Sequence, residues 1–277
     1  MASAPEIRTL SPAEVEMLVG WAAGEGWNPG LGDAAAFRIA DPEGFLGAFV
    51  GGEMVAGIAA IAYGDDFGFI GLYICRPDQR GKGYGKSVWD AGMARLSGRT
   101  IGLDGVPAQQ ANYRSMGFEP AYRTLRFSGL VAASAASDIR PLTPDLSAAI
   151  HEFDRMCFPA ERDDFLAAWL GPPRISMASA ANGIVQGFGV ARACGEGHKI
   201  GPLFARDEET AVALLASLAT TCGSEVHIDV PDARSGFIDG LAALGFTSGF
   251  ETARMYRGAS PTYRDDLVFG VTCLELG

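Results

Sequence analysis

The sequence is short of positive charge. Its 33 aspartates and glutamates outnumber 22 lysines and arginines, for a formal net charge of −11. A nucleic-acid ligand needs a basic face to neutralise its phosphates, so nucleic acid is not an expected partner. Histidine is scarcer still. His151, His198 and His227 are the full set, and all lie in the second half. A Ser-His-Asp or Cys-His site in the first half is thereby excluded. H-E-x-x-H does not occur. The five cysteines (Cys75, Cys157, Cys194, Cys222 and Cys273) are scattered and never form C-x-x-C, so neither a disulfide framework nor a metal site is indicated. No apolar run approaches the roughly 20 residues a membrane helix needs. The opening "MASAPEIRTL" has no basic stretch followed by an apolar one, so no secretory signal is expected. These absences point to a soluble, cytoplasmic protein without membrane or metal.

What is present suits a packed protein: 48% hydrophobic and 20% charged residues over 277, enough for two domains of ordinary size. The chain is also written twice. "EIRTLSPAEV" at Glu6 is echoed by "DIRPLTPDLS" at Asp138, each a short strand, then a capping Ser11 or Thr143, then proline at the first helical position. Glu14, three residues after Ser11, completes a capping box. In the same order, "GGEMVAGIAAI" matches "ANGIVQGFGVA", "FIGLYICRP" matches "KIGPLFARD", "TIGLDGVP" matches "VHIDVPDA", and "SMGFEPAYRTLRFSG" matches "ALGFTSGFETARMYRG". Five matched segments in one order imply an internal repeat, with copies at 1–131 and 138–277 joined by the small-residue linker "VAASAAS". Within a copy, strands alternate with helices around one hairpin. That is an α/β pattern with a mixed sheet and helices on both faces.

Between a buried strand and an amphipathic helix lies "RPDQRGKGYGKSVW", residues 76–89. A strand-loop-helix of this kind gathers backbone amides and a helix N-terminus, which suits phosphate oxygens. The Walker A pattern fails because Arg80 stands where its first glycine belongs. The dinucleotide fingerprint fails at Lys86 or Val88, depending on where it starts. The pattern that fits is R-x-x-G-x-G, with Arg80, Gly83 and Gly85.

On these residues the first copy resembles the GNAT superfamily of acyl-CoA-dependent N-acetyltransferases. "LDGVPAQQANYRSMGF" is similar to the family's later segment, where a tyrosine lies four residues before Gly-Phe; here that is Tyr113. The resemblance implies two GNAT-like domains and acetyl-CoA as co-substrate. It implies that the backbone of Leu72, Tyr73, Ile74 and Cys75 pairs with the pantetheine arm like an added strand. A backbone N–H there would stabilise the developing oxyanion. It further implies that Arg80, Gly81, Lys82, Gly83, Tyr84, Gly85, Lys86 and Asn112 serve the rest of the cofactor, and that Tyr113 is the acid for the departing thiolate. The acceptor would be the amine of a small molecule or a peptide. A non-catalytic acyl-CoA sensor is the alternative. The family often has a glutamate on the strand before the loop, but "FGFIGLY" has no carboxylate. The base is left open among Glu25, Asp65, Asp66 and Asp104. Asp104 recurs as Asp229 in the second copy, which favours a structural role such as capping the next turn. Trp21, Trp27, Asn28 and Phe37 are candidates to line the amine pocket or to pack the core.

Counted from the shared Ile-Gly (Ile70 and Ile200), Thr210, Ala213 and Leu215 stand where Arg80, Gly83 and Gly85 do. Counted back from Gly245-Phe246, Leu241 replaces the tyrosine. The second copy is expected to keep the fold without the cofactor site. The oligomeric state is not readable from the sequence.

Overall fold

The computed structural model describes residues 4–131, 138–181 and 184–277. The expected linker lies largely outside the described residues, as do residues 182–183, where a hairpin turn is expected from the sequence. The first half runs β1 (Glu6–Thr9), α1 (Pro12–Gly24), α2 (Asp33–Ala40), β2 (Phe45–Val50), β3 (Glu53–Tyr63), β4 (Phe67–Cys75), α3 (Tyr84–Arg95), β5 (Thr100–Gly105), α4 (Pro107–Ser115) and β6 (Glu119–Gly129). The second half repeats that order: β7 (Ile139–Pro141), α5 (Ser147–Cys157), α6 (Asp163–Leu170), β8 (Ile175–Ala181), β9 (Ile184–Ala193), β10 (His198–Ala205), α7 (Glu208–Cys222), β11 (Val226–Pro231), α8 (Ser235–Ala243) and β12 (Thr247–Arg257). β13 (Val268–Gly270) follows, without a counterpart in the first half.

Local chemistry explains several of these boundaries. α1 opens with the capping box read from its sequence: Glu14 accepts from the Ser11 amide at 2.7 Å and from its hydroxyl at 2.8 Å. β3 is apolar almost throughout and buried along nearly its whole length, as a strand covered by helices on both faces must be.

Among the described residues all thirteen strands form one sheet, in the order β1-β2-β3-β4-β5-β12-β6-β11-β10-β9-β8-β7, with β13 on β10. The last long strand of each copy has crossed to the other. β12 lies antiparallel on β5, from Ala253 opposite Gly105 to Arg257 opposite Ile101. β6 lies antiparallel on β11, from Val226 opposite Gly129 to Pro231 opposite Thr124. The crossed strands pair with each other, and Thr124 faces Thr252, the same position in the two copies. An internal two-fold axis passes there.

Two buried ion pairs lock the crossing. Arg254 on β12 grips Asp104 of β5 at 2.9 and 2.8 Å. Arg126 on β6 grips Asp229 of β11 at 2.7 and 2.9 Å. The recurrence of Asp104 as Asp229 is therefore structural, but the partner is an arginine from the other copy, not a turn to be capped. Burial pulls the Arg254 guanidinium down, yet Asp104 outweighs it and holds the group well above its ordinary value. Such a pair is paid for in desolvation, and losing one partner strands the other charge, at a cost of about 3–5 kcal/mol.

The cores share the crossed strands. Ala253 and Met255 of β12 pack with Val88, Trp89 and Phe118 of the first half, and Phe127 of β6 packs with Leu214, Leu215 and Phe237 of the second. A third cluster joins the halves, where Phe37 stacks on Trp169 at 5.9 Å. Phe37 is thus core and not pocket.

Candidate active site

β4 and β5 run parallel from Phe67 opposite Thr100 to Ile70 opposite Leu103, and there the pairing ends. On its other side β4 is bulged against β3: the register passes from Gly71 opposite Ala59 to Ile74 opposite Gly57. Leu72, within the bulge, has φ of 46°. That left-handed backbone is costly for a branched residue, and such strain tends to sit where function needs it. Beyond the last pair the two strands border a cavity of about 450 Å³. Leu72, Tyr73, Ile74, Cys75, Arg80, Asn112 and Tyr113 all line it.

The glycine loop joins this cleft to α3. Gly81 and Gly83 have φ of 78° and 88° with open space around them, so backbone conformation is what demands glycine there. Gly85 has ordinary backbone and instead leaves room for a neighbour: a β-carbon there would meet the Tyr73 hydroxyl at 3.0 Å, so that ring would have to shift. Gly83 caps α3 without a side-chain hydrogen bond, leaving first-turn amides for a ligand. Arg80 donates from Nε to the Cys75 carbonyl at 3.0 Å and pairs with Glu25. Lys82, which donates to Gln79 at 3.0 Å, and Lys86, paired with Asp90, are exposed beside the loop. The Tyr84 side chain is buried in the core beneath α3, so only its backbone faces the loop.

Tyr113 sits on α4, its ring 5.5 Å from Trp89 and nearly parallel to it. Burial, with help from Tyr73, pushes its phenol well above the ordinary tyrosine value. It therefore stays protonated near neutrality and remains a donor. Burial likewise raises the Cys75 thiol, which keeps it protonated and gives no support for a nucleophile.

Of the carboxylates considered from sequence, Glu25 and Asp104 reach the cavity, each already held by an arginine. Asp65 and Asp66 lie exposed in the turn before β4, away from it. Among the further lining residues that carried no sequence signal are Arg126 on β6, Phe250 and Thr252 on β12, and Leu274 and Glu275 beyond β13. Trp27 also lines the cavity, and its carbonyl accepts from Arg126 and Lys199 at 3.2 and 2.8 Å. Phe250, Thr252, Leu274 and Glu275 bring part of the wall from the second half of the chain. Among the described residues no group of three His, Cys, Asp or Glu side chains could hold a metal ion, and no helix is long and apolar enough to cross a membrane.

The second half holds the same parting of strands. β10 and β11 pair from His198 opposite Val226 to Ile200 opposite Ile228, then separate. Here β13 fills the gap, pairing with β10 at Leu203 and Phe204, while the Val271 amide donates to the Asp229 carbonyl at 2.9 Å. The glycine loop is gone as well. Residues 76–83, eight in all, link β4 to α3, but only residues 206 and 207 link β10 to α7. Counting from Ile-Gly placed Thr210 opposite Arg80; the structure places Asp207 opposite Gly83, because the loop is shortened and not merely substituted. Asp207 caps α7 with its own carboxylate, accepting from the Thr210 amide at 2.8 Å. At the tyrosine position the turn is unchanged: the Phe118 amide donates to Tyr113 at 3.1 Å and the Phe246 amide to Leu241 at 3.0 Å. Leu241 fills the core.

A profile of the acetyltransferase (GNAT) family matches residues 13–118, and one of the acetyltransferase (GNAT) domain matches residues 150–270. The holothin acyltransferase of a Pseudoalteromonas species is 32% identical over 97% of this chain and 94% of its own. A proposed acetyltransferase from Pyrococcus horikoshii superposes with a TM-score of 0.84 at 20% identity, covering 100% of this chain and 97% of that one. A tandem GNAT protein from the clavulanic acid biosynthesis pathway gives 0.63 at 14% identity, covering 93% and 99%. The two solved structures establish the fold, and the aligned acyltransferase establishes the kinship. The chain belongs to the GNAT superfamily of acyltransferases, in its tandem form with two GNAT domains.

Proposed function

We propose that the open cleft of the first domain binds acetyl-CoA and that the protein transfers its acetyl group directly to the amine of a small molecule or peptide. The observation that carries this is the free edge of β4 beyond Ile70, flanked by a left-handed glycine loop at one end and Tyr113 at the other. Bound there, acetyl-CoA would supply an acyl carbon already activated as a thioester. The backbone of residues 72–75 would hold its amide-bearing arm by strand addition. The amides of residues 81–86 and the α3 N-terminus, with Arg80, Lys82 and Lys86, offer donors and charge for its phosphates. Asn112, which lines the cavity, would bond the arm. Tyr113 would give a proton to the departing thiolate. The kinship with an enzyme named as an acyltransferase supports acyl transfer in general; the acetyl group and the amine are this proposal's own.

Acetyl-CoA should raise the melting temperature and ATP should not. The Tyr113→Phe variant should keep that shift while kcat for acetyl transfer falls about 100-fold. An unchanged kcat would remove Tyr113 from the mechanism. A thermal shift with no amine ever acetylated would favour a non-catalytic acyl-CoA-binding protein.

A further inference from the structure

The segment that fills the second cleft goes on to reach the first. Past β13 it crosses two equivalent glycines. A β-carbon at Gly201 would overlap the Val271 carbonyl, and one at Gly71 the Glu275 carbonyl. Beyond that crossing the main chain is tied down: the Tyr63 hydroxyl donates to the Leu276 carbonyl at 3.0 Å, and Arg162 to that of Gly277 at 3.3 Å. Glu275 is thereby brought to line the open cavity. It is 3% exposed, and its Oε2 has no hydrogen-bond partner. A buried carboxylate oxygen without a donor is expensive, and in a cavity wall a ligand is the natural donor.

The charged and titratable groups acting on Glu275 are Asp104 from β5, Arg126 from β6, Arg192 from β9, Lys199 from β10 and Cys273 of its own segment. Asp104 is held by Arg254, Arg126 by Asp229, Arg192 by Asp33, and the Lys199 ammonium by the Trp27 carbonyl. Glu25, the third carboxylate on the cavity, is held by Arg80. Glu25 is exposed to solvent, whereas among the described residues Glu275 is the buried lining carboxylate with an unpartnered oxygen. Trp27, Phe250 and Leu274 line the same cavity and give it an apolar flank.

We propose that Glu275 receives the ammonium of the acceptor and takes the proton it must lose, and that the acceptor is a small primary amine on an apolar body. This rests on reading the cleft as an acetyl-CoA site. An alkylammonium has a pKa near 10, so near neutrality roughly one molecule in a thousand is the nucleophilic amine. Proton transfer to Glu275 gives the neutral amine and a carboxylic acid. The C–N bond then forms, the C–S bond breaks, and the thiolate leaves with a proton from Tyr113. The second nitrogen proton returns to Tyr113, directly or through water. Glu275 releases its proton to solvent, so the sum is amide, thiol and one H⁺.

The test measures CoA release from acetyl-CoA with tyramine, tryptamine and phenethylamine as acceptors, across pH, for the native chain and the Glu275→Gln and Glu275→Asp variants. The native protein should turn over at least one of the three. Glu275→Gln should lose about 100-fold in kcat/KM for the amine near neutrality, keep the acetyl-CoA thermal shift and its own melting temperature, and recover rate as pH rises and free amine accumulates. Glu275→Asp should restore part of the loss. Equal rates and pH profiles in the native and Glu275→Gln proteins would overturn the role of Glu275. No turnover of any of the three by a native protein that binds acetyl-CoA would overturn the acceptor class. Failure of acetyl-CoA to bind would instead remove the reading of the cleft beneath both.

Discussion

In the first domain β4 and β5 part after Ile70 and Leu103 and leave a cavity; in the second, β10 and β11 part after Ile200 and Ile228, and β13 lies in the gap. The first has a long loop with two left-handed glycines and an α3 N-terminus that no side chain caps; the second has two linking residues and an aspartate that caps its own helix. The strand geometry is common to both, so it belongs to the fold. The loop, the uncapped helix end and the unfilled gap occur together on one side, which is the combination the proposed acetyl-CoA site requires. In the second domain the chain satisfies the strand edge and the helix end with its own residues, as buried backbone requires. The second domain is not idle. Through β12 and the segment after β13 it builds one wall of the first domain's cavity.

The largest expected effect falls on what joins the two domains. Arg254→Met strands Asp104 inside the sheet and should cost about 3–5 kcal/mol in urea unfolding. Arg126→Met should cost a similar amount by stranding Asp229. A loss below about 1 kcal/mol in both would mean that the crossed pairs do not hold the strands. Next comes the loop. Gly83→Ala forces a β-carbon into left-handed backbone, worth about 1–2 kcal/mol, and should weaken acetyl-CoA binding as well. An alanine variant with native affinity would separate the loop's conformation from its ligand. The smallest effect lies at the matching position of the second domain. Asp207→Ala removes a helix cap for about 1 kcal/mol and should leave acetyl-CoA binding untouched, since that helix end faces no open cleft.

What could be read from the sequence was local. The Arg80-Gly83-Gly85 loop and the Tyr113 spacing lie within short segments whose chemistry is written in consecutive residues, and the repeat showed in matched words. The strand exchange could not be read, because β6 and β12 carry the same pattern whichever copy they pair with; only non-local partners such as Arg254 and Asp104 distinguish the two. Counting aligned Thr210 with Arg80 because it assumed equal loop lengths. Glu275 sits in "TCLELG", which matches no motif. Its importance comes from the path of β13 and the residues after it, which tertiary packing sets.

The most direct test of one open and one filled cleft is calorimetric titration of the full chain with acetyl-CoA, alongside the Arg80→Glu and Thr210→Glu variants. One molecule per chain is expected, abolished by Arg80→Glu and unaffected by Thr210→Glu. Two molecules per chain, or equal losses in the two variants, would contradict it.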